Sequence, residues 1–450
     1  MSTASPAGET RRQRPVTQLW RITYPLIVTN LAQVLVTVVD TALLARFSTS
    51  ALAAVALAAP VYLVAIMVVR GWATAVQIVV ARRFGAHDSD GVAGVTAAGL
   101  VAGVLTGTGV GAALFLVAPA VLLLLSGDPA VAAPGADYLR ILAMTVPFAA
   151  ATFVLQGAYA GLGATRVAMV MMLLVNVVNL VSGLVLIFML GLGVVGAGLA
   201  GLVSTIGGTA FMVWYGRRRF TGELVLLRRS ELAGWRTATP VLWRLAWPEA
   251  MLLFFGYLNE VLLIGFVAQL GELELGAYRL LDNLTLVIFT LVAAGGTGVT
   301  IAVGQRLGAG QIEAARTYQR AGLVLSATLA AVPATPALLL PGPIFALLTS
   351  DRAVVDLAAG PTWIAVLGLI PLVLALNLAG VLRAAGDNRT VMRASLIGDY
   401  AVLVPLAWLL GVHLRWGLHG IFIAWLGFWL VMLALVYRKY RVGAWQTSAV

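Results

Sequence analysis

Long apolar runs alternate with short charged breaks along the whole chain. The first run, Trp20 to Arg46, reads WRITYPLIVTNLAQVLVTVVDTALLAR and carries one carboxylate, Asp40, near its far end. At about 1.5 Å per residue, a helix of that length crosses a hydrocarbon core of roughly 30 Å with residues to spare. The pattern predicts twelve such spans, at about 19–45, 52–81, 92–118, 134–160, 168–190, 195–215, 240–269, 275–305, 319–348, 355–382, 393–412 and 417–437. The third is the least tidy, because apolar character continues through Pro119 to Leu125. Asp40 stands six residues before Arg46, roughly 9 Å inside the far surface at helical rise.

The landmarks recur. Pro25 in ITYP and Pro248 in LAWP lie 223 residues apart, and the same offset separates Phe84-Gly85-Ala86 from Leu307-Gly308-Ala309. It also separates Asp128 from Asp351, Gly157 from Gly380, and Arg166 in GATR from Arg389 in GDNR. One offset held over that many positions marks an internal duplication. Each copy has six spans, an even number, so both enter the membrane from the same side. The repeat is therefore parallel, related by an axis along the membrane normal. The predicted fold class is an all-α integral membrane protein of twelve transmembrane helices in two six-helix lobes. The domain plan is a tail at 1–18, a first lobe at 19–215, a hydrophilic linker at 216–239, a second lobe at 240–438 and a tail at 439–450. Two lobes around a cavity that opens alternately to each side is transporter logic.

Composition agrees: 61% of residues are hydrophobic and 10% charged, where soluble domains carry about 25% charge. The chain has no cysteine, which excludes disulfides, thiol nucleophiles and thiolate metal sites. His87, His413 and His419 fall near helix ends, and no two show zinc-ligand spacing with a carboxylate. The formal charge of +11 is carried by breaks on one side of the spans, with Arg82, Arg83, Arg166, Arg217, Arg306 and Arg389 among them. The opposite breaks hold Arg46, Arg140, Arg352 and Arg415 beside Asp128, Asp137, Glu272, Glu274 and Asp351. The positive-inside rule places both termini and the linker in the cytoplasm of a multi-pass protein of the inner (plasma) membrane. Residues 1–18 are polar, so no cleavable signal is expected.

These residues resemble the multidrug and toxic-compound extrusion family, MATE, and within it the DNA-damage-inducible branch. The motifs that carry the resemblance are Pro25, Gln33 and Val39-Asp40-Thr41, then Ala81 to Ala86, Asn176 to Ala200, Val303 to Gly310 and Gly380 to Arg389. The resemblance implies two six-helix bundles that export organic, often cationic compounds, driven by entry of protons or sodium ions. It implies that Asp40 is the family's acid in span one and Asn179 its asparagine in span five. Two places depart from the pattern: Gly183 stands where an acid or amide is common, and Leu372 where some members have an acid in span ten.

Intramembrane acids and amides are the candidate chemistry. Asp40 sits among Val38, Val39, Leu43 and Leu44, which penalise its bare charge. It is expected to take up and release a proton, or to ligate Na⁺ together with Asn179; the plainer alternative is a capping or pairing carboxylate within the bundle. Asn176 and Asn179 share a helix face and supply amide oxygens to the same pocket or hold helices together. Glu260, near Tyr257 and Asn259, is expected to face the cavity and favour cations, or to partner Arg279. Arg279 and Asp282, three residues apart, are read as a neutralising pair. Asp399 repeats the position of Asn176, and its depth matches that of Arg70, which suggests an Arg70–Asp399 pair between lobes. Gln33, Thr37, Tyr257, Glu260, Asp282 and Asp399 form the candidate substrate cavity. Pro25, Pro248 and Arg70 are the candidate conformational residues.

The sequence is read as an antiporter exporting amphipathic, cationic organic compounds in exchange for H⁺ or Na⁺. No cofactor, catalytic residue or firm metal site is expected. The expected partners are a small organic substrate and the lipid bilayer, with no nucleic acid, and the chain is expected to be a monomer. A flippase for a lipid-linked saccharide is the nearer alternative, but it calls for a cationic cavity to hold pyrophosphate. Here several acids face few intramembrane arginines (Arg70 and Arg279). A membrane-embedded enzyme is the farther one, and it lacks a paired-Asp metal motif or a nucleophile with its base.

Overall fold

Pro15 and Val16 already lie in helix, and the first span runs unbroken to Phe47. The computed structural model describes residues 15–219 and 235–446. Twelve of its helices are long and apolar enough to cross a membrane, and there is no strand among the described residues. The first lobe comprises α1 (Pro15–Phe47), α2 (Thr49–Gly85), α3 (Ser89–Ser126), α4 (Pro129–Gly161), α5 (Thr165–Met189) and α6 (Gly193–Arg219). The second comprises α7 (Trp235–Ala268), α8 (Glu272–Gly308), α9 (Ile312–Leu339), α10 (Thr362–Ala384), α11 (Asn388–His413) and α12 (Gly417–Arg441).

Three boundaries differ from the sequence reading. The third span continues through Pro119 to Ser126. The ninth stops at Leu339 instead of 348, and the tenth begins at Thr362 instead of 355, with short helices Pro341–Ala346 and Arg352–Ala359 between them. Pro341 explains the first break, because a residue before proline is pushed out of helical backbone; Leu340 has φ −134° and ψ 51°. Asp351 caps the second short helix by accepting from the Ala353 amide at 2.9 Å. The expected linker is narrower than 216–239, since α6 reaches Arg219 and α7 begins at Trp235. The rest of it, residues 1–14 and residues 447–450 lie outside the described residues.

The duplication governs contacts as well as boundaries; the bounds of α2 plus 223 are those of α8. A proline inside a helix frees carbonyls one turn back, and both lobes cover them in the same way. The Thr165 hydroxyl donates to the Ile22 carbonyl at 2.9 Å, and the Asn388 amide to the Leu245 carbonyl at 3.2 Å. Each neighbouring arginine stacks on the aromatic ring preceding the proline: Arg166 on Tyr24 at 5.6 Å and Arg389 on Trp247 at 5.7 Å. The repeated GATR and GDNR motifs are thereby explained as clasps from the fifth helix of each lobe onto the kink of its first. Both fifth helices also widen into π-helix near their far ends, over Leu184–Met189 and Ala407–His413.

The lobes meet only at one end among the packed contacts of the described residues, the end that carries the arginine-rich breaks. Leu19 of α1 is buried in the second-lobe core, and its repeat partner Leu242 of α7 is buried in a first-lobe core. A Cβ on Gly85 would collide with the Gln305 carbonyl, and one on Gly308 with the Arg82 carbonyl. Gln305 also donates its side-chain amide to the Gly161 carbonyl at 2.8 Å. Toward the opposite end the cores stay within their lobes, one around Leu43, Val55, Leu114 and Leu139, the other around Leu263, Val267 and Tyr278. Two bundles in contact at the basic end, with separate cores toward the other, leave a cleft between them that is closed at the basic end.

Candidate functional site

Asp40 is half-buried on α1, inside the first lobe. Its carboxyl faces the side-chain amide of Asn179 on α5. That residue is 1% exposed, and neither its nitrogen nor its oxygen has a hydrogen-bond partner. Tyr138 of α4 stands on the same side, and beyond it the Tyr62 hydroxyl pairs with that of Thr145 at 2.7 Å. The result is a carboxyl facing a buried amide, with two tyrosines nearby, among α1, α2, α4 and α5. The sequence reading found Asp40 and Asn179 but missed Tyr62, Tyr138 and Thr145. Their signal was three polar side chains within otherwise apolar spans.

Gly183 is filled space, not a gap: a Cβ there would lie 3.0 Å from the Leu43 side chain. The place is taken up by packing of α1 on α5. Asn176 points elsewhere from Asp40. Its amide nitrogen donates to the Ala32 carbonyl at 3.0 Å and to the Met172 carbonyl at 2.9 Å, tying α5 to α1 one turn nearer the basic end. Gln33 and Thr37 are exposed on α1 with Thr41, a polar stripe at four-residue spacing.

In the second lobe the expected cavity group divides in two. Glu260 is half-buried, with Oε1 closed off and unpartnered. It faces Tyr278, Arg279 and Asp282 of α8, and the Tyr278 ring packs against Phe422 of α12 at 6.2 Å. Glu260 thus stands at the α7–α8 seam, against the polar face of α8. No ion pair within 4.0 Å joins Arg279 to Asp282 or to Glu260 among the described residues; Arg279 is exposed and turned outward. Tyr257 is half-buried on α7.

Asn259, adjacent in sequence to Glu260, points the other way and donates to Asp399 on α11 at 3.1 Å. Asp399 also accepts from Ser395 at 3.1 Å. The expected Arg70–Asp399 pair does not form, because Asp399 is enclosed within the second lobe. Arg70 is exposed on α2 and stacks on Phe153 of α4 at 5.8 Å. Sequence reasoning also missed the one deeply buried ion pair among the described residues. Glu249, directly after Pro248 and 6% exposed, accepts from Arg383 of α10 at 2.8 and 3.3 Å. Its signal was an acid beside a repeated proline, at a place where the first copy has Leu26.

No group of three or more His, Asp or Glu side chains is gathered for a metal among the described residues. Shielded acids within each of two repeated lobes of membrane-spanning helices define the class, a two-lobed membrane transporter. The family model described as MatE matches residues 25–185 and again residues 248–409, one match per lobe. The chain belongs to the MATE family of multidrug efflux transporters. It is 30% identical over 421 residues to the probable multidrug resistance protein NorM of Pseudomonas putida, covering 90% of this chain and 89% of that protein. It is 28% identical over 304 residues to the human multidrug and toxin extrusion protein 1, covering 65% of this chain and 51% of that protein. Among solved structures, the outward-facing conformation of a multidrug resistance MATE family transporter superposes with a TM-score of 0.87 at 19% identity, over 99% of this chain and 100% of that one. The protein is thus a multi-pass membrane transporter, not an enzyme, and the flippase alternative finds no support in these likenesses.

Proposed function

We propose that the protein is a secondary active antiporter that exports amphipathic, cationic organic compounds in exchange for H⁺ or Na⁺. The observation that carries this reading is Asp40 facing the buried Asn179 amide, in a lobe whose cleft opens away from the basic end. The positive-inside rule makes the basic end cytoplasmic, so the cleft faces out. The exposed stripe of Gln33, Thr37 and Thr41 lines that cleft, since polar side chains on a spanning helix avoid lipid. Relatives whose names record multidrug resistance support a broad organic substrate range. The chain works as a monomer, because both halves of the cleft are its own.

An ion arriving from outside neutralises Asp40 and removes the cost of a bare charge in an apolar wall. The neutral form favours a different packing of α1 around Pro25, which narrows the outer cleft. Coupling requires the ion to bind one state more tightly than the other. The test is flux in proteoliposomes with H⁺ and Na⁺ gradients imposed separately. Wild-type protein is expected to export a cationic dye under one gradient, and Asp40→Asn is expected to fold, to bind dye and to lose gradient-driven flux. Full gradient-driven flux by Asp40→Asn would remove the coupling role from this residue.

A further inference from the structure

The second lobe holds a pair that this reading does not use. In the first lobe an acid on the first helix, Asp40, meets an amide on the fifth, Asn179. In the second lobe the equivalent helices meet with the chemistry exchanged, the amide Asn259 on α7 and the acid Asp399 on α11. The offset of the duplication aligns them with Val36 and Asn176, about one turn nearer the basic end than the first-lobe pair. Asp399 is 4% exposed and Asn259 2% exposed. Both carboxyl oxygens accept from neutral donors, the Asn259 amide and the Ser395 hydroxyl, each at 3.1 Å. No arginine or lysine lies within 4.0 Å of Asp399 among the described residues. The other end of the same amide, Asn259 Oδ1, is buried with no donor.

Two costs stand side by side: a buried carboxylate without a counter-charge and a buried acceptor without a hydrogen. One particle removes both. A proton on the Asp399 carboxyl cancels the charge, and its O–H can turn to Asn259 Oδ1 while the amide N–H continues to donate to the carboxyl. The acid and the amide then close a ring of two hydrogen bonds. A hard metal cation gathers about six oxygens, and this site leaves one open. The backbone at this place also departs from its repeat partner. Residues Gly398–Leu403 are π-helical, whereas α5 is regular α-helix over Thr165–Gly183, and π-bulges in helices are frequent at functional sites. The surroundings supply no other charge to the pair. Glu260 is turned to α8, and the Tyr400 hydroxyl donates to the Phe255 carbonyl at 2.9 Å. From α12 it is Phe428 that packs on Gly398, and α12 has no charged residue between His419 and Arg438.

We infer that Asp399, paired with Asn259, is a second proton-binding site, housed in the second lobe and loaded and emptied as α7 and α11 move against each other. The inference rests on the transporter reading but not on Asp40 being the coupling residue. Its test is infrared difference spectroscopy of the full chain in lipid, stepping from alkaline to mildly acidic solution in H₂O and in D₂O. The expected result is a carboxylic C=O band that gains intensity on acidification and shifts in D₂O. It persists in Asp40→Asn and in Glu260→Gln and is lost in Asp399→Asn. Asn259→Leu keeps the acid but is expected to move the band, which preserves the test if Asp399→Asn fails to fold. Absence of any Asp399-dependent band would overturn the inference, and so would removal of that band by Na⁺ at fixed pH, which would make the site a metal site. Flux measured on the same variants separates the two readings: transport indifferent to a proton gradient ends the coupling proposal while the band still reports on Asp399.

Discussion

Glu249 shows what a single charged residue can do in a spanning helix and how little of it is visible beforehand. Its carboxylate accepts from Arg383 through both oxygens, so one partner left alone would be a bare buried charge. Glu249→Gln or Arg383→Met is expected to cost about 3–5 kcal/mol, read as a fall in melting temperature of the purified protein. The double variant Glu249→Leu with Arg383→Met is expected to recover most of it, because no charge is then stranded. Asp40 and Asn179 were legible by family resemblance and by the rule that intramembrane acids are costly. Their tyrosine neighbours were not, since a tyrosine in an apolar run carries no mark of which helix it faces. The Arg70–Asp399 expectation failed for a related reason. Equal depth along two helices says nothing about their rotation, and Asp399 is rotated toward α7.

At the scale of the helix, the twelve spans were legible because an apolar run of membrane length has few other uses. Their ends were less so. The run from 319 to 348 stays apolar past the true stop at Leu339, and only the Pro341 and Pro343 pair in the sequence hints at the break. The kinks at Pro25 and Pro248 were legible as prolines, whereas their covers, Thr165 and Asn388, lie some 140 residues away along the chain. Interhelical hydrogen bonds in membranes are worth about 0.6 kcal/mol on average. Thr165→Val and Asn388→Leu are each expected to lose on the order of that amount in unfolding titrations. Their effects are expected to add, since the two sites share no partner. A synergistic loss would show that the two kinks move as one unit.

At the scale of the molecule, the 223-residue offset announced two lobes, but it did not announce how they touch. The closed end can be tested directly because the chain has no cysteine to interfere. A Cβ built on Gly304 of α8 lies 3.2 Å from the Ala81 Cβ of α2, close to the separation that a disulfide spans. Ala81→Cys combined with Gly304→Cys is expected to crosslink under mild oxidation, to halt export, and to recover on reduction. Crosslinking without loss of export would mean that the basic end does not open during the cycle. The contact at that end has a further property. Gly85 rests on the backbone of Gln305, and Gly308 rests on the backbone of Arg82; under the duplication each of these contacts maps onto the other. Such a patch is self-complementary, as in a symmetric dimer. The chain is, in effect, a dimer whose two subunits have been joined end to end. A first lobe on its own would therefore carry a surface ready to close on a second copy of itself, in the same orientation across the membrane. The linker between the lobes then serves to set which two halves meet, so that the lobe holding Asp40 always closes on the lobe holding the exchanged pair, Asn259 and Asp399, and never on a copy of itself.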